Sequence, residues 1–221
     1  MEGWEMAFQI VLECVIVLLG TCGMILHSGW IKGETRKDFF RYYTNLSNLL
    51  VTVFFLFRLV IRIRGSYDGF FGRIVFSQIW LYSVAMSIFL TFAIFHFVLM
   101  PSIKQDPEIS DEFRHFSDIS NIIVHYLVPL LSLLDWFLFA VKTELRYSWA
   151  LIWTVIPWIY VIYAFIRAAD GVPLEHTDSA YPYEFMDAGK HGWKTVIRNC
   201  LLVGIIFAFI GFLFLFVRKC L

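Results

Sequence analysis

Six long apolar runs, separated by short polar segments, dominate the pattern of hydrophobic and polar positions. The runs are rich in Phe, Leu, Ile and Val and cover residues 6–27, 39–63, 76–100, 119–141, 148–168 and 195–217. Each has about the 20 residues that an α-helix needs to cross a bilayer. Backbone polar groups in lipid need partners within the segment, and barrel-like alternation is absent, so each run is predicted to be a helix.

Composition points to the same fold class. The chain is 59% hydrophobic and 19% aromatic, whereas soluble domains are about 45–50% apolar. We therefore predict an all-α, polytopic integral membrane protein with six transmembrane helices. No linker or internal repeat interrupts it, so residues 1–221 are expected to form one domain. Glu2 and Glu5 stand where a cleaved signal would carry basic residues, so no signal peptide is expected.

Six spans place both termini on one side of the membrane, here called the terminus face. The opposite side, the loop face, carries segments 28–38, 101–118 and 169–194. Basic residues are divided almost evenly between the two faces, so the positive-inside rule does not orient the chain. The net charge is zero, which predicts no nucleic-acid partner. The expected partners are the bilayer and a membrane lipid; the oligomeric state is not predicted.

All six histidines fall on the loop face by this topology. They are His27, His96, His115, His125, His176 and His191. Imidazoles are good ligands for zinc or iron, which is one explanation of this bias. No two histidines are three or four residues apart, however, so no local ligand pair exists. We predict neither a metal nor another cofactor, and histidine's tolerance of membrane interfaces is the simpler explanation.

Two of the polar positions lie at similar predicted depths in different spans. Thr44 is six residues beyond Asp38 and His125 is seven beyond Asp118, which puts both about 9–10 Å below the loop face. A hydroxyl becomes a good nucleophile when a neighbouring base takes its proton, and histidine suits that role near neutral pH. We predict that Thr44 is the nucleophile and His125 its base. Alternatively, Thr44 bonds back to a carbonyl and His125 bridges helices.

Polar neighbours supply candidates for the other parts of such a site. Pro129 should free a backbone carbonyl beside His125 and kink its helix. The aromatic loop around Tyr181–Lys190 is either a lid over a lipid cavity or an interfacial belt. The candidates for oxyanion donation, imidazole orientation or substrate binding are Asn45, Asn48, Asn121, Tyr126, Tyr183 and Asp187.

A second polar group lies in the other half of the membrane. Glu13, Arg58 and Asp135 each stand about five to eight residues in from the terminus face. One guanidinium and two carboxyls at similar depth predict a buried ion pair or triad that fixes helix packing. A pathway for protons or ions in a non-enzymatic carrier is the alternative.

Three stretches resemble a known family. They are Arg41–Asn48 with its Tyr-Tyr-Thr core, Asn121–Pro129 around His125, and Tyr181–Asp187. The chain resembles the androgen-induced-gene-1-like membrane hydrolases, which include the androgen-dependent TFPI-regulating protein, and looks closer to their prokaryotic six-span branch. The resemblance implies an intramembrane threonine nucleophile at Thr44 with His125 as its partner.

The resemblance also implies an activity and a location. Animal members hydrolyse fatty acid esters of hydroxy fatty acids, so a lipid esterase in a bacterial cell membrane is expected, with cytoplasmic termini. Three alternatives stay open: acyl transfer to a lipid acceptor by the same pair, a carrier for ions or small solutes, and a histidine metal site.

Overall fold

Six membrane-spanning helices make up the fold. The computed structural model describes residues 3–33, 35–100, 119–175 and 177–221. Its helices are α1 (Gly3–His27), α2 (Tyr43–Arg64), α3 (Gln78–Leu99), α4 (Ile119–Phe139), α5 (Trp149–Ala168) and α6 (Trp193–Cys220). Each is long and apolar enough to cross a membrane, and no strand occurs in these residues. The chain is an all-α polytopic membrane protein, as predicted.

The predicted start of the second span is wrong. A 3₁₀ turn occupies Phe39–Arg41, and α2 begins only at Tyr43 after Tyr42 in an extended conformation. Thr44 is therefore the second residue of its helix and not the sixth of a span. The apolar pair Phe39 and Phe40 extended the hydrophobic run in the sequence, but a turn buries one ring and exposes the other.

Helices α1 to α4 form the central bundle, with α1 packed on α2 and α4 and α3 packed on α2 and α4. Two glycines of α1 allow this close approach. A side chain at Gly20 would collide with Thr52 of α2, and a Cβ at Gly23 would lie 2.5 Å from Ile123 of α4. Small residues at such contacts are the usual way for membrane helices to pack tightly.

Helices α5 and α6 pack on the outside of this bundle. Regular hydrogen bonding in α5 is interrupted at Trp153 and Thr154, because Pro157 has no N–H to donate to the carbonyl four residues earlier. Gly211 of α6 receives the indole of Trp153: a Cβ there would lie 2.6 Å from its Nε1. The two helices are therefore in close contact near the terminus face.

The terminus-face half contains a compact ionic cluster. The Arg58 guanidinium contacts Glu13 at 2.9 Å and donates to the carbonyl of Val75 at 2.6 Å. Arg62, which sequence analysis did not include, also contacts Glu13, at 3.1 Å. Asp135 is fully buried within electrostatic reach of Arg58, but it forms no direct ion pair with a described residue.

Candidate active site

The helix that carries His125 widens into a π-helical turn over Ile123–Leu127. The N–H of Val128 bonds to the carbonyl of Ile123, and Pro129 has no N–H to donate. The carbonyl of Val124 is thus left without its regular donors within the helix. A second π-helical turn, Phe95–Leu99, lies in α3. Such turns occur frequently at functional sites.

The side chain of Asn48 uses the free carbonyl to join α2 to α4. Its amide nitrogen donates to the carbonyl of Val124 at 3.0 Å and to the carbonyl of Thr44 at 2.8 Å. Asn48 is fully buried, so losing either bond would leave a polar group unsatisfied in an apolar interior. One amide therefore connects the turn that carries Thr44 to the residue before His125.

Thr44 and His125 line one cavity. Its volume is about 80 Å³, room for several water molecules or a slender chain. Parts of α2, α3, α4, α5, α6 and the α5–α6 loop form its walls. Among the described residues, the lining includes no Asp, Glu, Lys or Arg. The structure therefore brings the predicted nucleophile and base to a common apolar space.

Aromatic rings orient the imidazole of His125. The ring stacks on Phe95 with centroids 3.7 Å apart and planes 15° from parallel, and His27 meets it edge-on at 6.2 Å. Its Nδ1 is buried and has no hydrogen-bond partner among the described residues. The neutral ring costs far less to bury than the cation, and only the neutral ring can accept a proton.

Tyr183, from the α5–α6 loop, brings a hydroxyl to the first turn of α2. That hydroxyl interacts with the side chain of Thr44, the backbone of Tyr43 and the side chain of Tyr160. Burial raises the pKa of Tyr183 to about 12, so the hydroxyl keeps its proton at neutral pH. It can therefore donate a hydrogen bond to an oxygen placed beside Thr44.

The start of α2 offers a further donor. Tyr42 precedes the helix and makes no side-chain capping bond. The backbone of Tyr43 already contacts the hydroxyls of Tyr183 and Tyr160, so the N–H of Thr44 is the donor that these contacts leave at the helix start. The first N–H groups of a helix carry partial positive charge and stabilise anions. Because α2 begins at Tyr43, Thr44 lies at the helix N-terminus, where backbone N–H groups can stabilise a developing oxyanion.

Polar contacts hold the α5–α6 loop over the cavity. Asp38 pairs with Arg41 at 3.0 Å and accepts a bond from the N–H of Glu175 at 2.6 Å. Arg41 in turn reaches the carbonyl of Val172 at 3.4 Å. These bonds join the segment before α2 to the loop, while Phe185 and Met186 form part of the cavity wall.

The structure assigns other roles to several predicted site residues. Asn45 donates to the carbonyl of Phe39 at 2.6 Å, and Tyr126 bonds to His96 at 3.2 Å. Asp187 accepts from Ser179 at 2.6 Å and caps a short helix through Lys190. None of these three lines the cavity. Asn121, also predicted to orient the imidazole, lies one turn before His125 on α4 and does not line it either.

Sequence reasoning missed two participants in the site. Phe95 and Tyr160 both line the cavity, and the Tyr160 hydroxyl donates to the carbonyl of Arg41 at 2.9 Å. Phe95 is one of many aromatics in an apolar run and gives no local signal. Tyr160 does give one, since it is a hydroxyl within an otherwise apolar segment.

The histidines do not assemble into a metal-binding group within the part of the chain that the structure describes. His27 and His125 are neighbours, whereas His96 bonds to Tyr126 and His191 is exposed. His115 and His176 lie outside the described residues. Comparison of the chain with protein families, curated proteins and solved structures finds no match.

Proposed function

We propose that the protein is an intramembrane lipid esterase with Thr44 as nucleophile and His125 as general base. One observation carries this proposal: residues of two different helices, a hydroxyl and an imidazole, line a single apolar cavity. The Asn48 bridge holds their two turns together. An ionisable side chain such as His125 within a membrane-spanning segment indicates a functional site by default.

The first half of the reaction forms an acyl-enzyme. The Thr44 oxygen attacks the ester carbonyl while His125 takes the hydroxyl proton, and the carbonyl electron pair moves onto its oxygen. The Tyr183 hydroxyl and the N–H of Thr44 stabilise that oxyanion. When the intermediate collapses, the carbon–oxygen bond of the ester breaks and the departing alkoxide takes the proton from His125.

The second half releases the acid. Water entering from the loop face loses a proton to His125 as its oxygen attacks the acyl-Thr44 ester. The new intermediate collapses, the bond to Thr44 breaks, and the Thr44 oxygen regains the proton from His125. Net hydrolysis consumes one water and yields a fatty acid and an alcohol, with both side chains restored.

The resemblance to the androgen-induced-gene-1-like hydrolases supports the same assignment and favours esters of hydroxy fatty acids as substrates. On the same basis we place the protein in a bacterial cell membrane with both chain ends on the cytoplasmic side. An ester of this class partitions into the bilayer. It would therefore reach the cavity sideways, from the bilayer.

A second activity uses the same acyl-enzyme. Transfer of the acyl group to a lipid alcohol or amine would replace hydrolysis if the acceptor entered the cavity before water did. The uncharged, largely apolar lining favours a lipid acceptor. Product analysis with and without an added acceptor lipid separates the two reactions.

Labelling with a fluorophosphonate tests the proposal. Detergent-purified protein is treated with the probe, and the adduct is located by intact mass and peptide mapping. We expect one adduct on Thr44, which is lost in Thr44→Ala and strongly reduced in His125→Ala, because the hydroxyl then lacks its base.

Thr52→Ala is the matched control for this experiment. Thr52 is a buried threonine of the same helix, but its hydroxyl bonds to the carbonyl of Asn48 and it does not line the cavity. This variant should label like the wild type. An adduct on another residue, or labelling of Thr44 that persists in a folded His125→Ala protein, would exclude the proposed pair.

A further inference from the structure

The cavity extends from the catalytic pair toward the middle of the membrane. Along α6 its lining runs from Cys200 to Phe207, and along α5 from Tyr160 to Thr154. Seven helical residues advance about 10 Å. We call this part, lined by Thr154, Pro157, Trp158, Val203, Gly204 and Phe207, the deep arm.

The two threonine hydroxyls of the inner wall are already hydrogen-bonded. The Thr154 hydroxyl donates to the carbonyl of Leu151 at 2.6 Å, and Thr91, on the α3 side, bonds to Ser47 at 2.7 Å. Their methyl groups remain to face the cavity. A ligand that fills the deep arm therefore finds mainly apolar contacts, and a polar atom in it would lose its contacts with water.

Two tryptophans of α5 lie at the deep arm: Trp158 lines it, and Trp153, beside the lining residues Thr154 and Phe207, lies beyond its inner end. Trp158 lies across the gap to α6, since a Cβ at Gly204 would be 3.1 Å from its ring. Further in, fully buried Trp153 is seated at Gly211 and packs edge-on to Phe207 with centroids 6.5 Å apart. Close contact between α5 and α6 at that level closes the space.

We propose that the deep arm holds the acyl chain of the ester and that Trp153 at its end selects the chain length. This inference rests on the esterase proposal, because Thr44 fixes where the acyl carbonyl must lie. An extended chain of tetrahedral atoms advances about 1.2 Å per bond, so the path of about 10 Å from the level of Cys200 to Phe207 takes roughly eight bonds beyond the carbonyl. The selected class is a single acyl chain of medium length.

Three variants test the inference through the ratio of hydrolysis rates for long and short esters. The substrates are p-nitrophenyl esters from butyrate to palmitate. Val203→Phe and Gly204→Leu add volume inside the arm and should lower the decanoate-to-butyrate ratio by about tenfold. Trp153→Leu should move the preferred chain to greater length. Ile205→Phe adds volume on the lipid-facing side of α6 and should keep the wild-type ratio.

The outcomes separate this inference from the esterase proposal. If the wild type hydrolyses the esters but Val203→Phe and Trp153→Leu keep its chain-length profile, the deep arm is not the acyl site. If the wild type hydrolyses none, fatty acid binding to Thr44→Ala decides, measured by native mass spectrometry. Length-dependent binding that Val203→Phe shifts to shorter acids would support the arm. Equal binding of all lengths would overturn it.

Discussion

The two halves of the membrane domain differ in the contacts that their polar side chains make. In the terminus-face half, Glu13 contacts Arg58 and Arg62 directly at 2.9 and 3.1 Å. In the loop-face half, Thr44 and His125 line a cavity, and the imidazole Nδ1 has no hydrogen-bond partner among the described residues. In the first half charged side chains contact each other, although Asp135 has no direct partner among the described residues. In the second half the two polar side chains share a cavity.

This difference distinguishes polar groups that hold helices together from polar groups that are available for the proposed reaction. A charge buried in lipid is tolerable when a partner neutralises it, and the partner then fixes how helices meet. Glu13 and Arg58 connect α1 to α2 in this manner. The proposed nucleophile and base must instead be reachable by a substrate, so the base has to be held in place without a partner on its nitrogen. Stacking on Phe95 does this for His125.

The largest expected effect comes from breaking the ionic cluster. Arg58→Met should lower the free energy of unfolding by about 3–5 kcal/mol, because Glu13 is left buried with a weaker partner. Unfolding in detergent, followed by circular dichroism against temperature or denaturant, measures this loss. The esterase activity of the protein that remains folded should persist, since neither residue lines the cavity.

A double variant sharpens that result. Glu13→Gln with Arg58→Met removes both charges and should recover most of the stability that Arg58→Met loses. Arg64→Ala, at an exposed position at the end of the same helix, serves as the control. If the double variant were no more stable than the single one, the cluster would act through something other than charge pairing.

The next effect concerns catalysis more than stability. Tyr183→Phe removes the proposed oxyanion donor and should lower kcat by about 10²–10³-fold, while the loss of its hydrogen bonds should cost only about 1 kcal/mol of stability. Tyr181→Phe changes a tyrosine of the same loop that does not line the cavity and should leave kcat unchanged. Equal losses in both variants would mean that the loop, and not the hydroxyl, matters.

Hydropathy was enough to predict the six helices, because about 20 apolar residues in a row have few other uses. The polar residues Thr44 and His125 were also visible, since they interrupt apolar runs. The hydrogen bond between Asn48 and Val124 could be predicted only in part from the sequence. Pro129 indicated a free backbone carbonyl, but not which side chain would donate to it. The π-helical turn rotates His125 relative to regular helix spacing, and no periodicity reports such a rotation.

Asp187 is a predicted site residue whose actual contacts could not be predicted from the sequence. As an acid in an aromatic loop it was a reasonable partner for the imidazole, but its short-range bonds to Ser179 and Lys190 use its oxygens within the loop. Asp and Ser residues commonly bond to nearby backbone in turns. Arg62 gave no signal of its place in the ionic cluster because it lies in the last turn of α2, where basic residues commonly face water or lipid head groups.

A smaller effect should distinguish two asparagines of one helix turn. Asn48→Leu and Asn45→Leu each remove a buried amide and should each cost about 1–3 kcal/mol of stability. Only Asn48 joins α2 to α4, so only its loss should also lower kcat, by about tenfold through displacement of His125 from Thr44. Paired measurements of unfolding midpoints and ester hydrolysis check this, and equal kcat values would remove the bridge from the proposed mechanism.

The smallest effect concerns the loop that covers the cavity. The hydrogen bond from Ser179, followed by those from the backbone N–H groups of Lys190 and Gly189, lowers the pKa of Asp187. Because the folded value is below the unfolded one of about 3.9, this carboxylate stabilises the loop above that pH. The contribution is lost as pH falls through the folded value. Asp187→Ala should cost about 1 kcal/mol, as loss of a helix cap does.

Hydrogen exchange of the Lys190 and His191 amides, followed between pH 6 and pH 3 and corrected for intrinsic rates, measures this contribution locally. The wild type should lose protection toward the acid end, whereas Asp187→Asn should start less protected and change little. Asp178→Asn, in the same loop but exposed, should behave like the wild type. Because the ionic cluster around Glu13 lies in the other half of the membrane, amides of α1 and α2 beside it should keep their protection over this range. If those amides opened together with the loop, the two halves would unfold as one unit, and the division between a packed half and an accessible half would not hold.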